Sequence, residues 1–194
     1  MCERRAVARP AFKGMEELNE VRRALRARSW MGVDENGIGF GNLSLRDGEG
    51  PCFFITGSST GAIAELGAEQ YARVVGHDLE RNWLRCEGVA IASSESLTHA
   101  AIYEAAPTVR AVLHCHSAEL WRRWRHLAPT TSARAEYGTP LMAREVLRLF
   151  RETAVLQERF FVMAGHVDGV VAFGSNLALA MDALVQRAVS LLPG

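Results

Sequence analysis

Two histidines set two residues apart inside an apolar run constrain this chain more than any other feature. The run is Ala111-Val112-Leu113-His114-Cys115-His116-Ser117. Its length and its apolar residues read as a strand. Side chains alternate between the two faces of a strand, so His114 and His116 share one face with backbones about 7 Å apart. Cys115 then points the other way, as a small core residue. Two imidazoles at that spacing can converge on one ion. Such pairs also occur as ordinary histidines, and the pair alone does not decide between the two.

A third histidine, His166, lies in Met163-Ala164-Gly165-His166-Val167-Asp168-Gly169, a turn between the apolar runs Phe160–Ala164 and Val170–Phe173. From a glycine-flanked turn it can reach an ion held on another strand, or it can simply cap a carbonyl. Three imidazoles with one open position are the pattern of a catalytic rather than a structural zinc site. Glu95 follows Ser93-Ser94 and starts a helix that leads back to the strand of His114. It reads either as a carboxylate favoured by the helix dipole or as a fourth ligand that doubles as a proton shuttle. Gly41-Asn42-Leu43-Ser44 and Gly57-Ser58-Ser59-Thr60-Gly61 offer backbone N–H groups and hydroxyls of the kind that form anion-binding nests, and Ser93 and Ser94 can add to them. Each of these fragments is also compatible with a plain turn.

Apolar spacing at Met15, Leu18, Val21, Leu25 and Trp30 predicts an amphipathic helix over 14–31, with arginines on much of its other face. A Gly/Asp/Asn turn follows at 32–37. Strands are expected over 38–45 and 52–56, joined through Asp47-Gly48-Glu49-Gly50, and two weaker ones within 71–86. Helices are expected over 96–106, 118–127, 141–153 and 177–192, and strands over 111–117, 160–164 and 170–173. Strand pairs mixed with helices predict an α/β layered domain with a mixed, largely antiparallel sheet.

The chain has 194 residues, enough for one domain, and 22 basic residues balance 22 acidic ones. That balance argues against nucleic acid as a partner, and the arginines of Trp121-Arg122-Arg123-Trp124-Arg125 read as snorkelling over apolar neighbours. No apolar run reaches about 20 residues, so no membrane span is expected. The basic start, residues 1–13, lacks an apolar stretch and reads as a frayed tail before a domain over 14–194. Cys2, Cys52, Cys86 and Cys115 form no C-x-x-C pair, which predicts free thiols and a cytoplasmic setting. Lys13 is the only lysine. It lies in a polar stretch, which disfavours Schiff-base chemistry.

Taken together, these fragments resemble the class II aldolase/adducin family over about residues 15–190. The resemblance rests on Gly41-Asn42-Leu43-Ser44 with Phe54-Ile55-Thr56-Gly57, and on Ser93-Ser94-Glu95 with His99 and Tyr103. It continues through Pro107, Val112-Leu113-His114-Cys115-His116-Ser117, Tyr137-Gly138-Thr139 and His166. It implies a three-layer α/β/α domain, a homotetramer with active sites at subunit interfaces, and one divalent ion, zinc foremost. By resemblance His114, His116 and His166 bind the ion, and Glu95 is the acidic residue of the motif. The chain departs from the family pattern at Gly165-His166-Val167-Asp168-Gly169, where Asn-His-Gly is common. Its loop at 56–61 is longer and lacks proline. No tyrosine follows Tyr137, so the donor that protonates the leaving group has no assignment.

The expected activity is aldolase-type cleavage of a ketose phosphate or related hydroxy-ketone through a metal-stabilised enediolate. Glu95 would be the catalytic proton shuttle, and Gly41, Asn42, Ser44, Thr60, Gly61, Ser93 and Ser94 would bind substrate phosphate. The alternatives are an epimerase or dehydratase on the same ion, or a non-catalytic adducin-like oligomerisation module.

Overall fold

The computed structural model describes residues 1–8 and 11–190, so the last two residues expected in the final helix lie outside the described residues. The histidine-bearing run forms β8 (Ala111–His116), flanked antiparallel by β4 (Asn42–Arg46) and β10 (Gly169–Gly174). From β4 the sheet continues through β5 (Phe53–Thr56), β6 (Tyr71–Asp78) and β7 (Trp83–Glu87), and beyond β10 it ends at β9 (Phe160–Val162). All of these pairings are antiparallel.

An eighth strand corrects the expectation of a frayed start. β1 (Cys2–Arg5) pairs parallel with β7, Cys2 opposite Leu84 and Arg5 opposite Glu87. Its four residues are all exposed, so it closes one sheet edge without adding to the core. Its charged side chains suit an edge position.

Helices cover both faces, giving three layers. On one side α2 (Ser96–Ala105), α4 (Pro140–Glu152) and the short α5 (Val155–Glu158) bury residues such as Ile102, Val146 and Val155 against Phe53, Ile55, Phe161 and Val171. On the other, α1 (Met15–Arg26), α3 (Ala118–Trp124) and α6 (Leu177–Val189) pack Leu18, Leu25, Leu120 and Leu184 against Leu43, Leu113, Cys115 and Val170. Alternation along β8 sends Val112 to the first core and Leu113 to the second. Cys115 is fully buried in the second core, as strand parity predicts.

The helix starts follow local chemistry. Ser117, Thr139 and Asn176 cap α3, α4 and α6 by accepting from the amides of Leu120, Met142 and Leu179, and Pro140 occupies the first turn of α4. The expected strand over 38–45 is broken at Gly41, whose φ of +77° suits glycine. Before the break, β3 (Gly39–Phe40) pairs with β2 (Gly32–Val33) as a separate two-stranded ribbon. After it, β4 enters the main sheet. This break swings the ribbon over the sheet end that carries His116.

One feature of α1 runs against its expected pattern. Arg22 stands four residues after Leu18 and three before Leu25, on the buried stripe rather than the solvent face, and is 1 % exposed.

Candidate metal centre

Strand register assembles the site. Asn42 is the cross-strand partner of His114 on one side and Val171 on the other, while Gly169 lies opposite His116. His114 and His116 therefore project toward the α2 face at the end of the sheet. The turn between β9 and β10 returns His166 to the same point. The ring nitrogens of His114, His116 and His166 lie within 4.8 Å of one another. His116 Nε2 and His166 Nε2 are 2.9 Å apart.

Glu95 arrives from α2. It occupies the N-cap position but makes no side-chain cap. Its carboxylate turns instead to the imidazoles, with Oε1 3.4 Å from His166 Nε2 and 3.8 Å from His114 Nε2. Oε2 accepts from the Thr98 hydroxyl at 3.2 Å, and Oε1, although buried, has no hydrogen-bond partner among the described residues. A buried carboxylate oxygen without a partner is costly, and an ion among the four groups removes that cost.

Electrostatics favour the same reading. Burial, reinforced by its histidine neighbours, drives His114 well below the ordinary imidazole range. Burial pulls His116 down to about 4, and burial with the His116 ring pulls His166 down to about 4. All three rings are thus neutral near pH 7, the form that binds metal. Burial raises the Glu95 carboxyl to about 7, and because the rings it approaches are neutral the contact is not an ion pair. His114 Nδ1 lies 3.2 Å from the Val170 carbonyl, a bond that puts the ring proton on Nδ1 and leaves Nε2 free. Donors about 2 Å from a single tetrahedral ion lie about 3.3 Å apart, close to the spacings here. The residues present fit a divalent cation.

The four groups lie at the base of a cavity of about 310 Å³. Of the residues expected to bind phosphate, Gly41, Asn42, Thr60, Gly61, Ser93 and Ser94 all line it. Ser44 does not. It is fully buried, its Oγ 2.7 Å from both His99 Nδ1 and Tyr103 Oη. Ser44 shares a face with Asn42, as strand parity requires, but one repeat along β4 that face passes beneath α2.

Other lining residues were not foreseen. The Tyr137 ring lies 4.5 Å from that of His166 and lines the cavity, and Phe40 lies 5.3 Å from His116. Tyr137-Gly138-Thr139 was visible as a motif without a role. Ser59 lines the same wall with a φ of +61°, a left-handed geometry rare outside glycine. Nothing in its local sequence signals that.

A family model for the class II aldolase and adducin N-terminal domain matches residues 16–121, more than half of the chain. The chain belongs to the class II aldolase/adducin family. Members of this family usually bind a divalent metal, in keeping with the three-histidine cluster. No curated protein matches in a sequence comparison. Solved structures share the fold of this class II aldolase-family chain. YgbL of Klebsiella pneumoniae, a candidate aldolase/epimerase/decarboxylase, is 22% identical with a TM-score of 0.67, covering 91% of this chain and 87% of its own. An L-fuculose 1-phosphate aldolase is 20% identical with a TM-score of 0.69, covering 93% and 84%. The L-fuculose-1-phosphate aldolase of Thermus thermophilus is 21% identical with a TM-score of 0.60, covering 90% and 86%.

Proposed function

We propose that this family member is a metal-dependent aldolase-type lyase acting on a ketose phosphate or related hydroxy-ketone. The observation that carries the reading is the convergence of His114, His116, His166 and the unpartnered Glu95 Oε1 at the base of one cavity. The three imidazoles and Glu95 would hold one divalent ion, zinc foremost because of the nitrogen-rich donor set. Such an ion supplies Lewis acidity toward a substrate carbonyl and stabilises negative charge developing there.

The chain's own residues supply the rest. Glu95 holds and moves the proton, through the oxygen that has no other partner. Asn42, whose buried Oδ1 also lacks a partner, orients a substrate hydroxyl beside His114. Thr60, Gly61, Ser93 and Ser94, with Gly41 behind them, receive the phosphate. Tyr137 covers His166 at the mouth and limits water access from that side. Ile38 and Tyr137, which line the cavity, and Val167, next in sequence to His166, are exposed apolar residues, which supports a homotetramer whose sites lie at subunit contacts.

Epimerase and dehydratase chemistry would use the same groups, and the mixed description of the YgbL relative keeps both in view. Product analysis separates them. The test is a screen of ketose phosphates with the ion-loaded protein, read as aldehyde release before and after chelation. Ion-dependent formation of two carbon fragments supports the lyase. A product with the carbon chain intact overturns it in favour of the rivals. Among the described residues no helix is long and apolar enough to cross a membrane.

A further inference from the structure

Three polar side chains of α1 grip the loop that walls the cavity. Asn19, Arg22 and Arg26 are spaced three and four residues apart, so they share one helix face. Asn19 Nδ2 donates to the Leu66 carbonyl at 2.8 Å. Arg22 Nη1 donates to Ala64 O at 2.9 Å and Nη2 to Thr60 O at 2.8 Å. Arg26 Nη1 donates to Gly61 O. All three side chains thus take carbonyls from one segment, residues 60–66.

Arg22 is the unusual member. An arginine that is 1 % exposed is normally matched by a carboxylate, yet among the described residues its hydrogen bonds go only to carbonyls. Burial lowers its pKa, but a guanidinium stays charged at any ordinary pH. Its charge is therefore spent on the loop, and the loop's far side is the cavity.

That far side offers donors without partners. The amides of Ser59, Thr60 and Gly61 make no hydrogen bond within the described residues, and all three residues line the cavity. Drawing a peptide carbonyl to one side of a loop sends the next N–H to the other. The left-handed Ser59 fits the alternating geometry by which successive amides form an anion nest. Gly61 is locked from the opposite side, since a Cβ there would collide with the Gly32 carbonyl oxygen.

We propose that Arg22, assisted by Arg26, is the positioning residue of this loop. By holding the Thr60 carbonyl Arg22 turns the Gly61 amide toward the cavity. Its bond to the Ala64 carbonyl and the Arg26 bond to the Gly61 carbonyl fix the loop that carries the Ser59 and Thr60 amides, and it adds a buried positive charge behind a phosphate-class dianion. The proposal rests on the phosphate-binding reading above. It assigns a task to an arginine on the buried stripe of a helix that touches neither ion nor substrate.

The test is calorimetric titration of inorganic phosphate into the ion-loaded protein, well below its melting temperature. Arg22→Lys keeps the charge but loses the planar fork that reaches the two carbonyls through separate nitrogens, and Arg26→Ala removes a half-buried partner with little risk to folding. Each variant is expected to bind phosphate about tenfold more weakly with its ion content unchanged, a split that a purely structural role would not give. Wild-type phosphate affinity in both folded variants overturns the proposal and leaves the proposed function standing. A wild-type protein that loads the ion but does not bind phosphate overturns the phosphate reading and this proposal together.

Discussion

His116 Nε2 and His166 Nε2 stand 2.9 Å apart across fifty residues of sequence. Two lone pairs repel at that distance unless a proton or a cation lies between them, and burial keeps both rings neutral near pH 7. Binding of a divalent ion should therefore stabilise the fold. At an ion concentration about 100 times Kd the gain is about 2.7 kcal/mol, which for a chain of this size is on the order of 5–10 °C in Tm. Calorimetry with and without chelator checks this. An unchanged transition contradicts it.

The pH dependence of the metal-free protein carries the signature of Glu95. Burial raises its carboxyl from 4.5 to about 7, so its contribution is fully present below about pH 4.5 and is lost as the pH rises through about 7. His116 and His166 work in the opposite sense. Burial takes them from 6.5 to about 4, so their contribution is present above about pH 6.5 and is lost as the pH falls through about 4. Metal-free Glu95→Gln should match wild type at about pH 4.5 and become the more stable of the two toward pH 8. The shift corresponds to a gain on the order of 3 kcal/mol. Denaturant titrations across that range check it, and parallel curves contradict it.

Ser44 distinguishes a core role from a phosphate-binding one. Replacing it with alanine leaves the buried His99 Nδ1 and Tyr103 hydroxyl without their shared partner. The expected cost is about 1–3 kcal/mol of stability, with KM unchanged. A raised KM at full stability contradicts the placement.

Tyr137 meets His166 at the cavity mouth with the two rings tilted by 38°, and an aromatic contact of this kind contributes about 0.5–1.5 kcal/mol. Tyr137→Ala should lower kcat/KM by up to about tenfold while the ion is retained, and Tyr137→Phe should lose less. Ion loss in the alanine variant would mean that the ring serves to hold His166 in place.

The centre was legible because strand parity is rigid. Once 111–117 reads as a strand, His114 and His116 must share a face, and Cys115 must leave it. The glycines around His166 marked a turn at the right place. Parity puts Asn42 and Ser44 on one face, but it does not give the point at which a helix covers that face, so Asn42 lines the cavity while Ser44 lies beneath α2. The edge strand at Cys2–Arg5 was hidden because an exposed, charged strand has no apolar alternation to betray it. The charge of Arg22 gives no hint of its burial, which the carbonyls of residues 60 and 64 explain. Tyr137 and Ser59 depend on tertiary contacts and backbone geometry that local pattern does not encode.

The most direct measurement is elemental analysis of the purified, dialysed protein beside its His114→Ala, His116→Ala and His166→Ala variants. The expected result is about one divalent ion per wild-type chain and little or none in each variant that remains folded by circular dichroism. Equal ion content in the wild type and a folded variant, or no ion retained by the wild type after loading with zinc, would contradict a centre built from these three imidazoles.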